Sequence, residues 1–523
     1  MKNMTEQVQR RYPIGIQTFE EIRKGGYLYF DKTGYACLLA RKYKYAFLTR
    51  PRRFGKSLLV STLQAYFEGK RELFDGLEAD RMQTAWTAHP VLKFSFAQGN
   101  YYKEEILKEV IDSQLGTYEK QYGVAPTNVA SFGIRLKNIV EAARRQTGHR
   151  AVVLVDEYDS PMLRSHDTPR LQSALRDIMR DFYSPLKDLD PSLRFVLLTG
   201  ITKFSQLSIF SELNNLNNIT FEEDFSAICG VTEEEMLSQC RSDIEVMARH
   251  LELSYEEMTR RLRFCYDGYH FTPAGPGLYN PFSLITAFAK RDIYYAWYSS
   301  GTPTFLVELM NKRQMEMTDL EGVETEMEVF DQSTETISDP IPVLYQSGYL
   351  TIKAYDRRRQ TFTLGFPNEE VRRGFASSLL QFVAPDFSGG RLTFRSAWLD
   401  FCENRQLEDF IEAIRVFFAT IPYDLHGKQE KSYQSLLYTA LAAVGADVLS
   451  EVRTSEGRID IVLRTPQDVV LFELKLDRPA AEALQQVADK HYDLPFMHDG
   501  RSVRRVGLSF SSKTRTVEDF KLL

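Results

Sequence analysis

Residues 49–57 read TRPRRFGKS, and they lie between a short apolar run, YAFLT (45–49), and SLLVSTLQAYFEG (57–69), whose apolar residues recur at helical spacing. Strand, loop and helix in that order are the setting of a phosphate-binding loop. Its chemistry needs backbone N–H groups aimed at phosphate oxygens from a helix N-terminus, a lysine reaching the β/γ-phosphates, and a hydroxyl on Mg2+. Gly55, Lys56 and Ser57 supply the second half of such a loop, but Arg50 stands where the first glycine usually does. Arg50, Arg52 and Arg53 could face phosphates or a neighbouring acidic surface. Taken alone, FGKS could also be a turn and nothing more.

A second segment weighs against the turn. AVVLVDEYDS (151–160) is an apolar strand ending in Asp156-Glu157, the arrangement in which the aspartate holds Mg2+ through water and the glutamate polarises the attacking water. The two motifs are about 100 residues apart, which suits an ATPase whose motif-bearing strands are separated by an extra strand. A further strand, RFVLLTGITKFS (194–205), ends in Thr199, Thr202 and Lys203, where a polar residue can sense the γ-phosphate. VLKFSFA (91–97) completes a set of short buried strands. Periodic segments near 102–120, 129–146 and 169–187 alternate with them, so the first ~235 residues read as a parallel sheet covered by helices on both faces.

The whole chain bounds these readings. Its 523 residues predict roughly three or four domains. With 43% apolar, 26% charged and 12% aromatic residues, the chain has ample material for packed cores and is far from a disordered composition. Net charge is −6, so no broad basic excess marks a nucleic-acid coat or membrane-surface binder. Residues 1–70 nevertheless hold 14 basic against 5 acidic residues, whereas 316–339 hold nine acids and no base, a pattern of a solvated acidic segment. Five scattered cysteines without a CxxC pair favour neither a disulfide framework nor a zinc site, and no signal-like or membrane-length apolar run occurs. A soluble, cytoplasmic chain is the expectation.

The quoted segments, together with YPIGIQTFEEIRKGGYLYFDKTGYACLLA, TGITKFSQLSIFSELNNLNNIT, YDGYHF and YNPFSLI, resemble the bacterial AAA-ATPase-like family over roughly residues 11–310. In that family Arg takes the place of the first loop glycine. The resemblance implies an ASCE-type P-loop ATPase related to STAND and archaeal ATPases, binding ATP and Mg2+. The nucleotide site it implies comprises Arg50, Arg52, Arg53, Phe54, Gly55, Lys56, Ser57, Leu58, Asp156 and Thr199, with Ser57 and Asp156 on the metal and Glu157 catalytic. FDKT (30–33) is shared too, either near the nucleotide or as a helix cap.

After 235 the helical period takes over, beginning with a capping-box pair, Thr232 and Glu235. We expect a helical lid or middle domain over 236–340, and a connecting region over 341–410 with strand-like pieces VLYQSGYLTIKAY and QTFTLGF. A last domain, 411–523, opens with a helix near 429–444 and runs through DVLSEVRT, RIDIVLRT and VVLFELKL to a helix at 479–492 and a strand at 503–510. Its chemistry is distinct. Asp460 is followed thirteen positions later by Glu473-Leu474-Lys475, with Glu430 in the preceding helix and Gln486 in the following one. Glu-x-Lys alone describes many solvated strands. Two carboxylates on adjacent strands can, however, hold Mg2+, and strand alternation puts Glu473 and Lys475 on one face, where the lysine can position or deprotonate water.

Residues ~413–512 resemble a PD-(D/E)XK nuclease domain of restriction-endonuclease-like α/β fold. That implies catalytic roles for Asp460, Glu473, Lys475, Glu430 and Gln486 and metal binding by Asp460 and Glu473. Nucleic acid is the implied partner, DNA ahead of RNA, with no membrane partner and homo-oligomers allowed. Residues 428–523 carry 14 basic and 14 acidic residues, so binding would need Arg453, Arg458, Arg501, Arg504 and Arg505 to share a face. The rival reading is a STAND-like ATP-driven switch or assembly protein whose last domain binds nucleic acid without cleaving it.

Overall fold

The computed structural model describes residues 10–125, 131–163, 165, 168–202, 215–297, 304–313, 315–330, 339–383, 388–422 and 429–523. Lys203 lies outside them, as does part of the acidic segment. The chain forms two compact units, one of residues 1–296 with 324–363 and the other of 297–323 with 364–523.

The first unit is built on five parallel strands: β1 (Tyr45–Thr49), β2 (Val91–Ser95), β3 (Ala151–Asp156), β4 (Leu193–Gly200) and β5 (Asn217–Asn218), in the order β2-β3-β4-β1-β5. Strand β4 therefore separates the loop-bearing β1 from the acid-bearing β3, which is the ASCE arrangement. One sheet face, with Phe47, Phe94, Val155 and Leu198, packs on helices Glu104–Gln121, Phe132–Thr147 and Pro169–Tyr183. On the other face, helix Lys56–Phe67 lies over the sheet, with Phe67 stacked on Phe195 at 5.1 Å. Both faces are buried, so the strands read as continuous apolar runs rather than alternating ones.

A helical segment follows. Strand β6 (Val231–Thr232) pairs with β7 (Leu278–Tyr279), and the capping box forms as expected: Glu235 N–H donates to Thr232 Oγ1 and Thr232 N–H to Glu235 Oε2. Helices Arg241–His250, Tyr255–Tyr266 and Pro281–Lys290 share a core with Leu28 and Phe30 from the N-terminal segment. Strands β8 (Val323–Glu326), β9 (Thr351–Asp356) and β10 (Thr361–Gly365) make a small sheet. VLYQSGYLTIKAY is strand only in its second half. Its first half lies in helix Pro340–Gln346, because Asp339 accepts the Ile341 N–H and Pro340 stands at the first helical position.

The second unit carries a mixed sheet of β11 (Asp447–Arg453), β12 (Arg458–Arg464), β13 (Asp468–Leu476), β14 (Ser502–Phe510) and β15 (Val517–Leu522), in sequential order. Only β13 and β14 run parallel, joined by helix Ala480–Asp489. Helix Glu430–Val444 precedes β11, giving the α-βββ-α-β core of a restriction-endonuclease-like domain. Helix Glu369–Val383 belongs to this unit as well: the buried Arg372 pairs with Glu369 and donates to the Val448 and Ala446 carbonyls. Among the described residues no helix is long and apolar enough to cross a membrane.

One glycine fixes how helix Ala480–Asp489 sits. A Cβ at Gly507, the β14 partner of Glu473, would overlap the Ala480 carbonyl oxygen and lie 2.9 Å from Leu484 N. Gly507→Ala should lower stability by about 1–3 kcal/mol through overpacking. Urea denaturation of the full chain measures it, and an unchanged midpoint would show that the helix is free to move.

Candidate nucleotide and nuclease-like sites

Gly55 takes the left-handed conformation, φ 94°, and turns the chain from loop into helix Lys56–Phe67. Lys56 is buried, and its Nζ crosses the loop to donate to the Arg50 carbonyl at 2.8 Å and the Pro51 carbonyl at 3.0 Å. Desolvation pulls its pKa down, while Asp156, Asp159 and Glu157 pull it up. The acids at the end of β3 therefore face the loop lysine, as the ASCE order requires.

Arg50 departs from expectation. Its guanidinium does not face outward to a phosphate. It is 1% exposed, donates to the carbonyls of Thr49, Thr220 and Phe225 at 2.9–3.0 Å, and lies 4.2 Å over the Phe271 ring. A charge in that interior persists because carbonyl dipoles surround it. Arg50 thus shapes the loop from within and offers the site its backbone. Arg53 stacks on Phe282 at 4.4 Å, and the exposed Arg52 acts electrostatically on Glu157. Phe54 is wedged edge-on against Tyr269 at 4.7 Å and Phe271 at 5.4 Å. The YDGYHF and YNPFSLI segments consequently buttress the loop. His270 has a backbone role, its N–H on Thr351 Oγ1 and its Nδ1 on the Gly275 carbonyl.

Asp156 is buried and accepts the Thr199 hydroxyl at 2.7 Å, so the polar end of β4 is tied directly to the acid of β3. Glu157 has φ 53°, and burial first of all raises its pKa, which suits a carboxylate that takes a proton from water. Asp159 was not singled out from the sequence. It is fully buried, and its Oδ2 accepts the Ile201 and Thr202 N–H groups at 2.8 and 2.7 Å and the Thr202 hydroxyl at 3.0 Å, so it shapes the turn after Thr199. A third acid in VDEYD was the available signal.

Beside the loop, a largely apolar pocket open to solvent is lined by Gly55 and Leu58, by Tyr29, Phe30 and Lys32, and by Pro281. Ser57 and Leu58 occupy the first helical turn, both half-buried. In FDKT, Asp31 accepts the Thr33 N–H and hydroxyl just ahead of helix Thr33–Lys42, whose N-cap position is Lys32 and carries no side-chain cap. Lys32 instead borders the pocket, paired with Glu235 at 2.6 Å.

The second site lies where β12 and β13 meet two helices. Ile461 pairs with Phe472, so extending that register by one sets Asp460 opposite Glu473, and Asp460 Oδ2 accepts the Leu474 N–H at 2.7 Å. Glu473, 2% exposed, receives at Oε1 both Lys475 Nζ at 3.3 Å and the Gln486 amide. Lys475 also donates to the Leu474 carbonyl and lies 3.8 Å from Glu430, whose Oε2 accepts the Leu476 N–H. The structure thus brings all five residues together. Burial first, then mutual repulsion for Glu473, pushes both carboxyl pKa values up, and Lys475 opposes the shift. Glu473 Oε2 is buried, with no hydrogen-bond partner among the described residues.

That orphan oxygen and the strained pair fit a divalent cation between them. Among the described residues no group of three or more His, Cys, Asp or Glu side chains forms a ready metal cage. A cation here would have two carboxylates, completed by backbone or water, as Mg2+ tolerates.

The five arginines do not share a face. Arg504 and Arg505 are successive on β14 and point to opposite sides, Arg505 pairs with Asp493, and Arg501 pairs with Asp499.

A family of "Predicted AAA-ATPase" proteins matches residues 13–210, and the PD-(D/E)XK nuclease superfamily matches residues 428–520. An Azotobacter chroococcum mcd 1 protein described as "Uncharacterized protein in vnfD 5'region" is 36% identical, covering 98% of this chain and 98% of its own. The chain belongs to the AAA-ATPase-like family. Its second unit carries the PD-(D/E)XK domain. Two solved structures, the Aeropyrum pernix ORC1 protein in complex with DNA and the ORC2 protein in ADPNP–ADP complexes, are each 11% identical. They cover 67% and 68% of this chain and 91% and 95% of their own, with TM-scores of 0.24 and 0.25, and the fold assignment rests on strand order instead.

Two predictions follow from these geometries. Arg50→Gly, which restores the commoner loop glycine, should cost more than about 3 kcal/mol, since several buried carbonyls lose their donor; thermal unfolding reads it, and a stabilised variant would refute the inward role. For Asp460 and Glu473 the folded-state pKa values are raised, so their contribution is present at low pH and lost as pH climbs through them. In EDTA the melting temperature should therefore fall between about pH 5 and 8. Mg2+ or Glu473→Gln should flatten that fall.

Proposed function

We propose that the chain binds and hydrolyses ATP in its first unit and cleaves nucleic-acid phosphodiester bonds, with Mg2+, in its second. The observation that carries the reading is the buried Glu473 carboxylate, which takes Lys475 and Gln486 on one oxygen, faces Asp460, and keeps the other oxygen without a partner.

In the first unit, Lys56 would leave the loop carbonyls for the β/γ-phosphates, Ser57 and Asp156 would hold Mg2+, and the apolar pocket would seat the base. Glu157 takes a proton from the attacking water, and Thr199 holds Asp156 in place through its hydroxyl. Bound ATP supplies a good leaving group and the driving force of its hydrolysis. In the second unit Asp460 and Glu473 would hold Mg2+, which supplies Lewis-acid stabilisation of a phosphorane-like charge. Lys475 orients or deprotonates the water, Gln486 fixes the Glu473 rotamer, and Glu430 holds the end of β13 beside Lys475.

A second reading, an ATP-driven switch whose last domain binds without cutting, is favoured by the Lys32–Glu235 pair. It bridges the pocket wall and the helical segment and would respond to an occupant.

Wild type, Lys56→Ala, Glu473→Ala and Lys475→Ala are compared with Mg2+ and ATP on single- and double-stranded DNA and RNA. Lys56→Ala should lose ATP hydrolysis and ATP-dependent cleavage, and the other two should lose cleavage by at least about 100-fold while retaining ATP hydrolysis. Cleavage unaffected by Glu473→Ala would sink the nuclease assignment, and cleavage indifferent to ATP would sink the coupling.

A further inference from the structure

The hairpin between β11 and β12 ends in a pair that is costly in isolation. Arg453 and Arg458 are direct cross-strand partners, both exposed, and like charges in that relation repel. Glu451 relieves one of them, with Oε2 2.8 Å from Arg458 Nη1. The Arg453 side chain has no hydrogen-bond or ion-pair partner among the described residues. Two arginines on directly opposed strand positions, one with its guanidinium unmet, can together seat a doubly accepting anion, and a phosphodiester matches their donor forks.

The pair is wired to the metal-site aspartate. Glu451 Oε1 accepts Gln434 Nε2 at 2.9 Å, and the same amide donates to the Asp460 carbonyl at 2.9 Å. The backbone is distorted to permit this. Ser450 pairs with Ile461 and Val452 with Ile459, but the intervening Glu451 and Asp460 do not pair, and Glu451 has φ 53°. A non-glycine residue in that region is a strained one that its surroundings must hold. Gln434, buried on helix Glu430–Val444 one turn after Glu430, supplies the hold. Other arginines of this domain are less suited: Arg501 and Arg505 are each matched by an aspartate, and Arg504 donates to the Arg405 carbonyl.

We propose that Arg453 and Arg458 grip a backbone phosphate of duplex DNA next to the bond presented to Asp460 and Glu473, and that Arg458–Glu451–Gln434 couples this grip to Asp460. The proposal rests on the nuclease reading and names where its substrate lies. When a phosphate takes Arg458, Glu451 loses its counter-charge, and its negative charge, held beside Asp460 by the Gln434 bridge, attracts a cation to the Asp460 site more strongly. By linkage, DNA and metal then favour each other's binding.

The test uses the full chain in Ca2+, with anisotropy of a labelled duplex DNA across a salt series. Arg453→Ala/Arg458→Ala should weaken binding at least about tenfold and reduce the slope of log K against log salt by about 0.9, the contribution of the one phosphate contact they share. Its melting temperature should hold or rise, because repulsion is removed, whereas a structural role would lower it. Arg501→Ala should leave binding unchanged. In wild type, duplex DNA should tighten Mn2+ binding severalfold, and Glu451→Gln should abolish that coupling while leaving DNA bound. If wild type binds no nucleic acid, the nuclease reading and this proposal both fall. Where wild type binds DNA but the double variant binds it equally, with the same slope, this proposal alone falls. Binding of an RNA duplex in preference to DNA overturns the assignment of the substrate.

Discussion

The Arg50 guanidinium is enclosed by protein, donating to carbonyls that belong to two separate stretches of the first unit. Few interactions so small reach so far. Its own β1 end, the 219–226 segment beyond β5 and the aromatic Phe271 all converge on one planar cation. Carbonyls that β1 and its neighbours leave unpaired after the last strand residue find their donors here rather than in water. The phosphate loop owes its curvature to that anchoring, and the curvature places the Arg50 and Pro51 carbonyls where Lys56 can reach both. Without it, the positions of Gly55 and Lys56 against β3 would have no fixed reference.

The second unit solves the opposite problem. Where the first unit buries a cation among dipoles, the second brings two carboxyl groups together across neighbouring strands and leaves one oxygen unmet. Main-chain N–H groups of Leu474 and Leu476, one on Asp460 and one on Glu430, lock both side chains to the same strand that carries Glu473 and Lys475. One strand, β13, thereby sets the relative positions of four site residues, and Gly507 lets the helix with Gln486 lie close enough to add a fifth.

Much of this was legible in the chain, for physical reasons that differ by element. Buried parallel strands show as unbroken apolar runs, so β1, β3 and β4 were readable, and the strand order could be expected from the spacing of the two acid and loop motifs. The Thr232/Glu235 box and the Asp460…Glu473-x-Lys475 spacing are local patterns that survive folding. What sequence could not carry was direction. Arg50 sits in a phosphate loop, and only three-dimensional packing reveals that its side chain turns away from the loop's mouth. The same holds for Arg504 and Arg505, whose adjacency in sequence guarantees opposite faces once β14 forms. Helix Pro340–Gln346 hid because its composition is that of a strand, and the Asp339 cap and Pro340 decide the matter. Asp159 shows in the sequence only as a third acid in VDEYD; its role, holding the two N–H groups of the turn after Thr199, is set by the fold.

The bonds from Lys56 to the Arg50 and Pro51 carbonyls have one more consequence. A loop whose lysine already donates to two carbonyls keeps its positive charge but has two of its donors engaged, so an incoming anion must replace both acceptors to gain them. Only a ligand presenting several oxygens at once can outbid both carbonyls and also accept from the helix N-terminus. The loop is in this sense a valence filter: it ranks visitors by how many acceptors they bring together, before any contact to a base is made.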